Sequence, residues 1–290
     1  MSRLFAFGLG YSAQVLARRL AAKGCQIAGT ARDEANIARL STQGYQVARF
    51  AGEPGNRDVA TLLLGTTHLV HSIPPGPDGD ALLAHYRNEI AGLSSLEWVG
   101  YLSTVGVYGD QKGLWVDERT NPKPNSERTE ARVEAERAWL RFGEETGVPV
   151  HVFRLAGIYG PGRSVFDKLS AGTARRIKKD GQVFSRIHVE DIANVLEASI
   201  AHPNGGAIYN VADDQPAAPD EVVFYAAKLI GVQPPPEIAF EDADLSPMAR
   251  SFYEGSRRIS NARIKSELGV KLRYPTYREG LASLLAEQTS

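Results

Sequence analysis

The sequence predicts an α/β chain built on a doubly wound parallel sheet, with a smaller C-terminal lobe. Three observations carry that expectation. An apolar run, a glycine turn and an amphipathic helix follow one another within the first 23 residues. Strand and helix patterns then alternate to about residue 155. Beyond Gly160 the helices shorten and proline and glycine become frequent, as in Gln233-Pro234-Pro235-Pro236. Such alternation argues parallel strands joined by right-handed crossovers.

Taken in order, Leu4-Phe5-Ala6-Phe7 is an unbroken apolar run, the pattern of a strand buried on both faces. Gly8-Leu9-Gly10-Tyr11-Ser12-Ala13 follows at once, and Val15, Leu16, Arg19 and Leu20 open a helical pattern that lasts to Lys23. A second strand covers 26–30, then a helix near 34–40, a strand at 46–50 and a short helix near 59–64. A strand at 68–73 precedes a longer helix from about 80 to 94; the strand 98–103, a loop, a long helix over 126–146 and the strand 150–155 complete the alternation. Two later pieces, a helix over 189–201 and a strand over 207–211, read as returns to the main sheet. The expected division is a dinucleotide-binding domain over 1–161 with returning elements near 187–211, and a substrate-side lobe over 162–290. In open α/β sheets such a lobe lies over the carboxyl ends of the strands.

Composition narrows the classes. A chain of 290 residues is ample for one large or two smaller domains. Acids and bases are interspersed and the net charge is −1, so no nucleic-acid partner is expected. The one basic cluster, Arg175-Arg176-x-Lys178-Lys179, reads as a solvated helix face, with a substrate phosphate as the alternative. A single cysteine, Cys25, excludes an intramolecular disulfide and fits a reducing compartment, where a buried inert thiol is the default. No stretch approaches membrane-spanning length and no charged segment introduces a long apolar one. A soluble, cytoplasmic protein with a small-molecule substrate and no membrane partner is therefore expected; the oligomeric state stays open. No His/Cys/Asp cluster has metal-ligand spacing, and no Gly-x-Ser-x-Gly elbow occurs.

The N-terminal glycines sit in the context that a G-x-G-x-x-G/A fingerprint requires, after a strand and at the start of a helix. Gly8 allows the tight turn, Gly10 lets the backbone approach a pyrophosphate, and Ala13 keeps helix and strand close. The free N–H groups at the helix start, around Tyr11 and Ser12, receive the negative charge. At the end of the second strand the first charge is Arg32, with the Thr30 hydroxyl beside it. A planar guanidinium suits a 2′-phosphate, which predicts NADP(H). The competing reading makes Arg32 a solvated loop residue and Asp33 the ribose ligand of an NAD site. His71 and Ser72, at the end of the fourth strand, fall where the chain passes the cofactor's ribose, with the His71 imidazole a minor proton-relay candidate.

Several motifs together resemble the extended short-chain dehydrogenase/reductase superfamily, the NAD-dependent epimerases and dehydratases. They are Gly8–Ala13, Leu102-Ser103-Thr104-Val105-Gly106-Val107-Tyr108-Gly109, Phe153-Arg154-Leu155 with Tyr159-Gly160-Pro161-Gly162-Arg163, Ile187-His188-Val189-Glu190-Asp191, and Tyr209-Asn210-Val211. Arg258-Ile259-Ser260-Asn261-Ala262-Arg263 and Tyr274-Pro275-Thr276-Tyr277-Arg278-Glu279-Gly280-Leu281 look like its atypical YeeZ-like branch. The resemblance implies that Thr104, with Ser103 beside it, hydrogen-bonds the substrate oxygen. Its Tyr-x-x-x-Lys pair, aligned on Glu136, falls on Arg128 and Arg132. The i, i+4 spacing keeps both side chains on one helix face. Arginine is effectively always protonated, so it can stabilise negative charge but is a poor general base. Arg132 is expected to hold the nicotinamide ribose in the lysine's stead; Arg128 either clamps a substrate carboxylate or belongs to a salt-bridged surface. Tyr108 is the other candidate for proton transfer, against its reading as a packed loop aromatic, and His188 reads as structural. The arginine that binds nucleotide-sugar phosphates in many members is replaced by Phe184, with Arg186 only two residues before His188, while Arg163 after the Gly-Pro-Gly turn remains available. The expectation is an NADP(H)-binding oxidoreductase-like protein acting on a small carbonyl or hydroxyl compound. A non-catalytic NADP(H) sensor and a nucleotide-sugar epimerase or dehydratase are the alternatives.

Overall fold

A computed structural model describes residues 2–246, 249–250 and 252–289. The chain divides into two compact units, the first made of residues 1–104, 126–154 and 193–209, the second of 105–125, 155–192 and 210–290.

The first unit carries the central sheet. Its strands are β1 (Arg3–Phe7), β2 (Gln26–Ala31), β3 (Gln46–Arg49), β4 (His68–His71), β5 (Trp98–Thr104), β7 (Val150–Leu155) and β11 (Ile208–Val211), hydrogen-bonded in the order β11-β7-β5-β4-β1-β2-β3. β1 runs parallel to β2 and β4, β2 to β3, and β4 to β5. This is the seven-stranded Rossmann-like sheet that the alternation predicted. Helices α1 (Tyr11–Ala21), α2 (Glu34–Ser41), α3 (Arg57–Leu63), α4 (Ala81–Ala91) and α5 (Glu127–Thr146) connect the strands, and α7 (Val189–Ala201) leads into β11. Phe5, Phe7, Phe50, Tyr86, Tyr101, Trp139 and Phe142 form an aromatic-rich core beneath them. β4 is shorter than expected for a clear reason. β4 ends at His71 because Pro74 and Pro75 lie just beyond and offer no N–H. α4 starts after Asp80, which caps it by accepting the N–H groups of Leu82 and Leu83. Cys25 is buried.

The second unit holds three two-stranded parallel pairs that sequence periodicity did not reveal. β8 (Gly157–Tyr159) pairs with β10 (Arg186–His188), β9 (Arg176–Lys178) with β12 (Glu237–Ala239), and β6 (Trp115–Val116) with β13 (Arg258–Ile259). Helices α6 (Val165–Ser170) and α8 (Pro219–Leu229) and the helix Tyr277–Thr289 pack around Tyr159, Phe166, Val222, Ala226, Tyr277 and Leu281. The basic cluster is not a helix face. Arg176-Ile177-Lys178 alternates with period two, Ile177 is buried, and both flanking cations reach Glu237. The division also differs from a boundary at 161. Residues 105–125 belong to the second unit because their partners, Asn210, Ser256 and Arg258, come late in the chain. No described helix is long and apolar enough to cross a membrane.

Candidate functional site

The glycine loop leaves β1 and is braced from two sides. Gly8 has a φ of +82°, and a Cβ there would meet the Ser72 Oγ at 2.8 Å and the Ile73 Cγ1 at 3.0 Å. The Gly8 N–H donates to the Thr30 Oγ1 at 2.9 Å, the Leu9 N–H to the Thr30 carbonyl at 2.9 Å, and the Ser72 hydroxyl to the Gly8 carbonyl at 2.6 Å. Thr30 and Ser72 therefore shape the loop. Both hydroxyls, which the sequence reading placed at the cofactor, are bonded to the backbone of the loop that the glycines build. Gly29, which the sequence reading missed, is equally constrained: a Cβ there would overlap the Ala6 carbonyl oxygen and lie 2.9 Å from the Leu9 side chain. Its signal was a glycine inside a strand, which marks close backbone approach.

Gly10 is different. Its φ of −84° suits any residue, and a Cβ would meet only the Gly8 carbonyl at 4.0 Å. Nothing in the folded chain requires a glycine here; the space beside it is open. Gly10 is also the N-cap of α1, which has neither a side-chain cap nor an acid in its first turn. A helix start without a side-chain cap or a nearby acid, and with room for close approach, suits an anion such as a pyrophosphate. Ala13 and Ser12 are buried against the sheet, and Tyr11 is half-buried.

At the end of β2, both carboxylate oxygens of Asp33 are engaged. Oδ1 accepts the Asn36 backbone N–H and Oδ2 the Asn36 Nδ2, each at 2.9 Å. That backbone bond first, and the side-chain bond second, hold the Asp33 carboxyl below its ordinary range. Arg32 is exposed and makes no hydrogen bond or ion pair with a described residue. The His71 imidazole turns into the core. It is buried between Tyr101 and Trp139 and its Nε2 lies 2.8 Å from the Asp80 Oδ2. That removes it as a proton relay, whereas its backbone ends β4 beside the loop.

The residues that the family resemblance assigns to the reaction lie on β5 and α5. Ser103 does not face a substrate: its hydroxyl donates to the Glu136 Oε1 at 2.5 Å. Glu136 also accepts the Arg154 Nη2 at 2.7 Å, and all three side chains are buried. A buried carboxylate needs such partners to offset its desolvation. Glu136 thus ties Ser103 and Arg154 to α5, and Thr104 is left as the half-buried hydroxyl at the end of β5. Arg132 donates through Nη1 to the Leu102 carbonyl at 2.9 Å and to the Tyr101 hydroxyl at 3.2 Å, one turn from Arg128. Arg128 is exposed in the first turn of α5, which Ser126 caps. Burial pushes the Tyr101 phenol well above its usual value, and Arg132 opposes that shift.

Tyr108 is fully buried in the second unit, where its hydroxyl donates to the Asn210 Oδ1 at 2.8 Å. Its placement is that of the packed loop aromatic, and it is withdrawn as a catalytic candidate. His188 accepts the Glu190 N–H at its Nδ1; burial, then Arg273, push its pKa down to about 4, so it is a neutral structural residue. Arg186 is no replacement for a phosphate-binding arginine, since its Nη1 donates to the Phe184 and Ala217 carbonyls, each at 3.0 Å. Arg163 is exposed after the Gly-Pro-Gly turn.

The NAD dependent epimerase/dehydratase family model matches residues 85–212. Protein YeeZ of Escherichia coli K12 is 31% identical, covering 95% of this chain and 97% of its own. A functionally unknown conserved protein from Silicibacter pomeroyi DSS is 48% identical, with a TM-score of 0.90 over 100% of both chains. At the level of fold alone, dTDP-glucose 4,6-dehydratase from Bacillus anthracis str. Ames, in complex with NAD, superposes with a TM-score of 0.75 at 17% identity, covering 100% of this chain and 96% of its own. The chain belongs to the NAD-dependent epimerase/dehydratase family of extended short-chain dehydrogenases/reductases.

Proposed function

We propose that the protein binds NADP(H) in the Gly8–Ala13 cradle and acts as an oxidoreductase-like protein on a small carbonyl or hydroxyl compound. The observation that carries the reading is Gly10, a glycine that no contact within the protein requires, at the uncapped start of α1. When bound, the cofactor supplies hydride transfer. The protein's own residues bind and orient. Thr104 hydrogen-bonds the substrate oxygen, Arg132 holds the nicotinamide ribose, and Arg128 stabilises negative charge developing on the substrate. The occupied Asp33 and unengaged Arg32 favour the 2′-phosphorylated cofactor.

Calorimetric titration tests the cradle. Wild-type protein is expected to bind NADPH more tightly than NADH, and Gly10→Val to lose both while remaining folded. Normal affinity in a folded Gly10→Val protein refutes the assignment. A second reading, an NADP(H) sensor without turnover, is favoured by one observation: an arginine stands where the family places its proton-transferring tyrosine.

A further inference from the structure

Two side chains of β5 engage α5. Tyr101 and Ser103 alternate with Leu102 along the strand, so they leave it on one face. The Ser103 hydroxyl reaches Glu136, while the Tyr101 hydroxyl accepts the Arg132 Nη1 at 3.2 Å. The guanidinium carbon of Arg132 also lies 5.8 Å from the Tyr101 ring centroid, within cation–π range. The ring itself has no freedom to turn away. It is fully buried, stacked on Trp139 with centroids 6.4 Å apart and tilted against His71 at 5.2 Å. Burial keeps the phenol protonated and neutral, so its oxygen remains an acceptor for Arg132 whatever the pH of the solution around the fold. The donors of Arg132 therefore divide into two sets. A guanidinium carries five N–H groups. Nη1 directs its pair to the Leu102 carbonyl, at 2.9 Å, and to Tyr101. Those on Nε and Nη2 meet no acceptor among the described residues. They form the side-on edge of the fork, which suits a pair of adjacent oxygen atoms.

We infer that Tyr101 is a positioning residue, which fixes Arg132 through Nη1 so that its Nε–Nη2 edge meets the two hydroxyls of the nicotinamide ribose. The inference rests on the role proposed above for Arg132 as the ribose-holding cation. A lysine at that place would present a compact ammonium that needs no such orientation. A planar guanidinium binds through whichever edge it turns outward, so one edge has to be anchored. Anchoring it before the cofactor arrives lowers the ordering cost of binding. Tyr101, being fully buried, acts through Arg132 alone.

Tyr101→Phe tests the assignment, because it removes one oxygen and keeps the ring in its stack. NADPH, NADH and ADP are titrated calorimetrically into wild type, Tyr101→Phe, Arg132→Ala and the double variant, with melting temperature as the folding control. Tyr101→Phe should weaken NADPH and NADH alike, by about threefold to tenfold, the scale of one hydrogen bond. ADP should change less than about twofold, because it lacks the ribose that Arg132 holds. In the Arg132→Ala background Tyr101→Phe should have no further effect, since the group it acts through is gone. If Tyr101→Phe weakens all three ligands, or has the same effect without Arg132 as with it, Tyr101 serves only the fold and the inference is wrong. If it changes nothing while Arg132→Ala weakens both dinucleotides, Arg132 holds the ribose unaided and only the inference fails. Dinucleotide binding that survives Arg132→Ala unchanged removes the ribose role of Arg132 and the inference with it, and leaves the glycine-loop cradle standing. Wild-type protein that binds neither dinucleotide overturns the proposed function and the inference together.

Discussion

Under the proposed function, the arginine at position 128 limits the chemistry open to the site. A tyrosine at that place could pass a proton to or from a substrate oxygen; a guanidinium stays charged across the accessible pH range and offers only donors. General acid–base assistance typically contributes ~10²–10⁴-fold, so its absence slows carbonyl reduction without abolishing it. Wild-type protein should therefore turn over generic ketones and aldehydes very slowly with NADPH. Arg128→Tyr combined with Arg132→Lys should retain NADPH binding and gain reduction of the same panel, measured as single-turnover NADPH oxidation. Fast wild-type turnover that Arg128→Ala abolishes, with cofactor binding unchanged, would instead make Arg128 an electrophilic catalyst and end the sensor reading. The residues around it show how far sequence reaches. Motif spacing found Thr104, Arg128, Arg132 and Glu136. It could not tell that Ser103 belongs to a buried Glu136–Arg154 cluster, because Glu136, which joins the two, lies 33 positions from Ser103 and 18 from Arg154.

Strong periodicity and turn residues made the elements of the first unit legible, with strands such as β1 and β5 buried along nearly their whole length. The second unit was opaque for the opposite reason. Its strands are two or three residues long, and their pairing partners are distant, as in β6 with β13. One of its helices carries a constraint that helix propensity alone would get backwards. Gly280 lies within Tyr277–Thr289, where alanine normally stabilises a helix by about 1 kcal/mol. Here a Cβ would overlap the Tyr159 hydroxyl oxygen, which has no hydrogen-bond partner. Gly280→Ala should accordingly lower the melting temperature. The same Cβ would lie 2.7 Å from the Tyr159 Cζ and 2.8 Å from its Cε2, so adding Tyr159→Phe, which keeps the ring, should recover only a small part of the loss. A Gly280→Ala protein as stable as wild type would show that the helix relaxes around the contact.

At the scale of the whole molecule, buried titratable groups set how stability responds to pH, and they pull in opposite directions. Burial lowers the pKa of His68, His151 and His188, so the fold keeps them neutral and loses stability as pH falls below their ordinary value of 6.5. Asp213 acts in the other sense. Its side chain is buried, its Oδ1 accepts the Gln215 N–H, and its Oδ2 has no partner. Desolvation pushes its pKa up from 3.8 to about 8, opposed by the Gln215 bond and by Arg186, with Asp214 and Asp191 adding to the rise. Between those two values the folded protein holds a proton that the unfolded chain releases, so this group's contribution falls steadily as pH rises. An asparagine side chain at this position carries no charge at any pH. Asp213→Asn should therefore melt close to wild type only below the ordinary value of 3.8 and progressively above it as pH rises towards about 8, with the gap levelling off beyond, where the wild-type carboxyl is ionised in the folded and unfolded chain alike. Thermal melts of the two proteins across that range, at fixed ionic strength, decide the matter. A melting difference independent of pH would mean that Asp213 is already ionised in the fold at neutral pH, with the nearby Arg186 guanidinium compensating its burial.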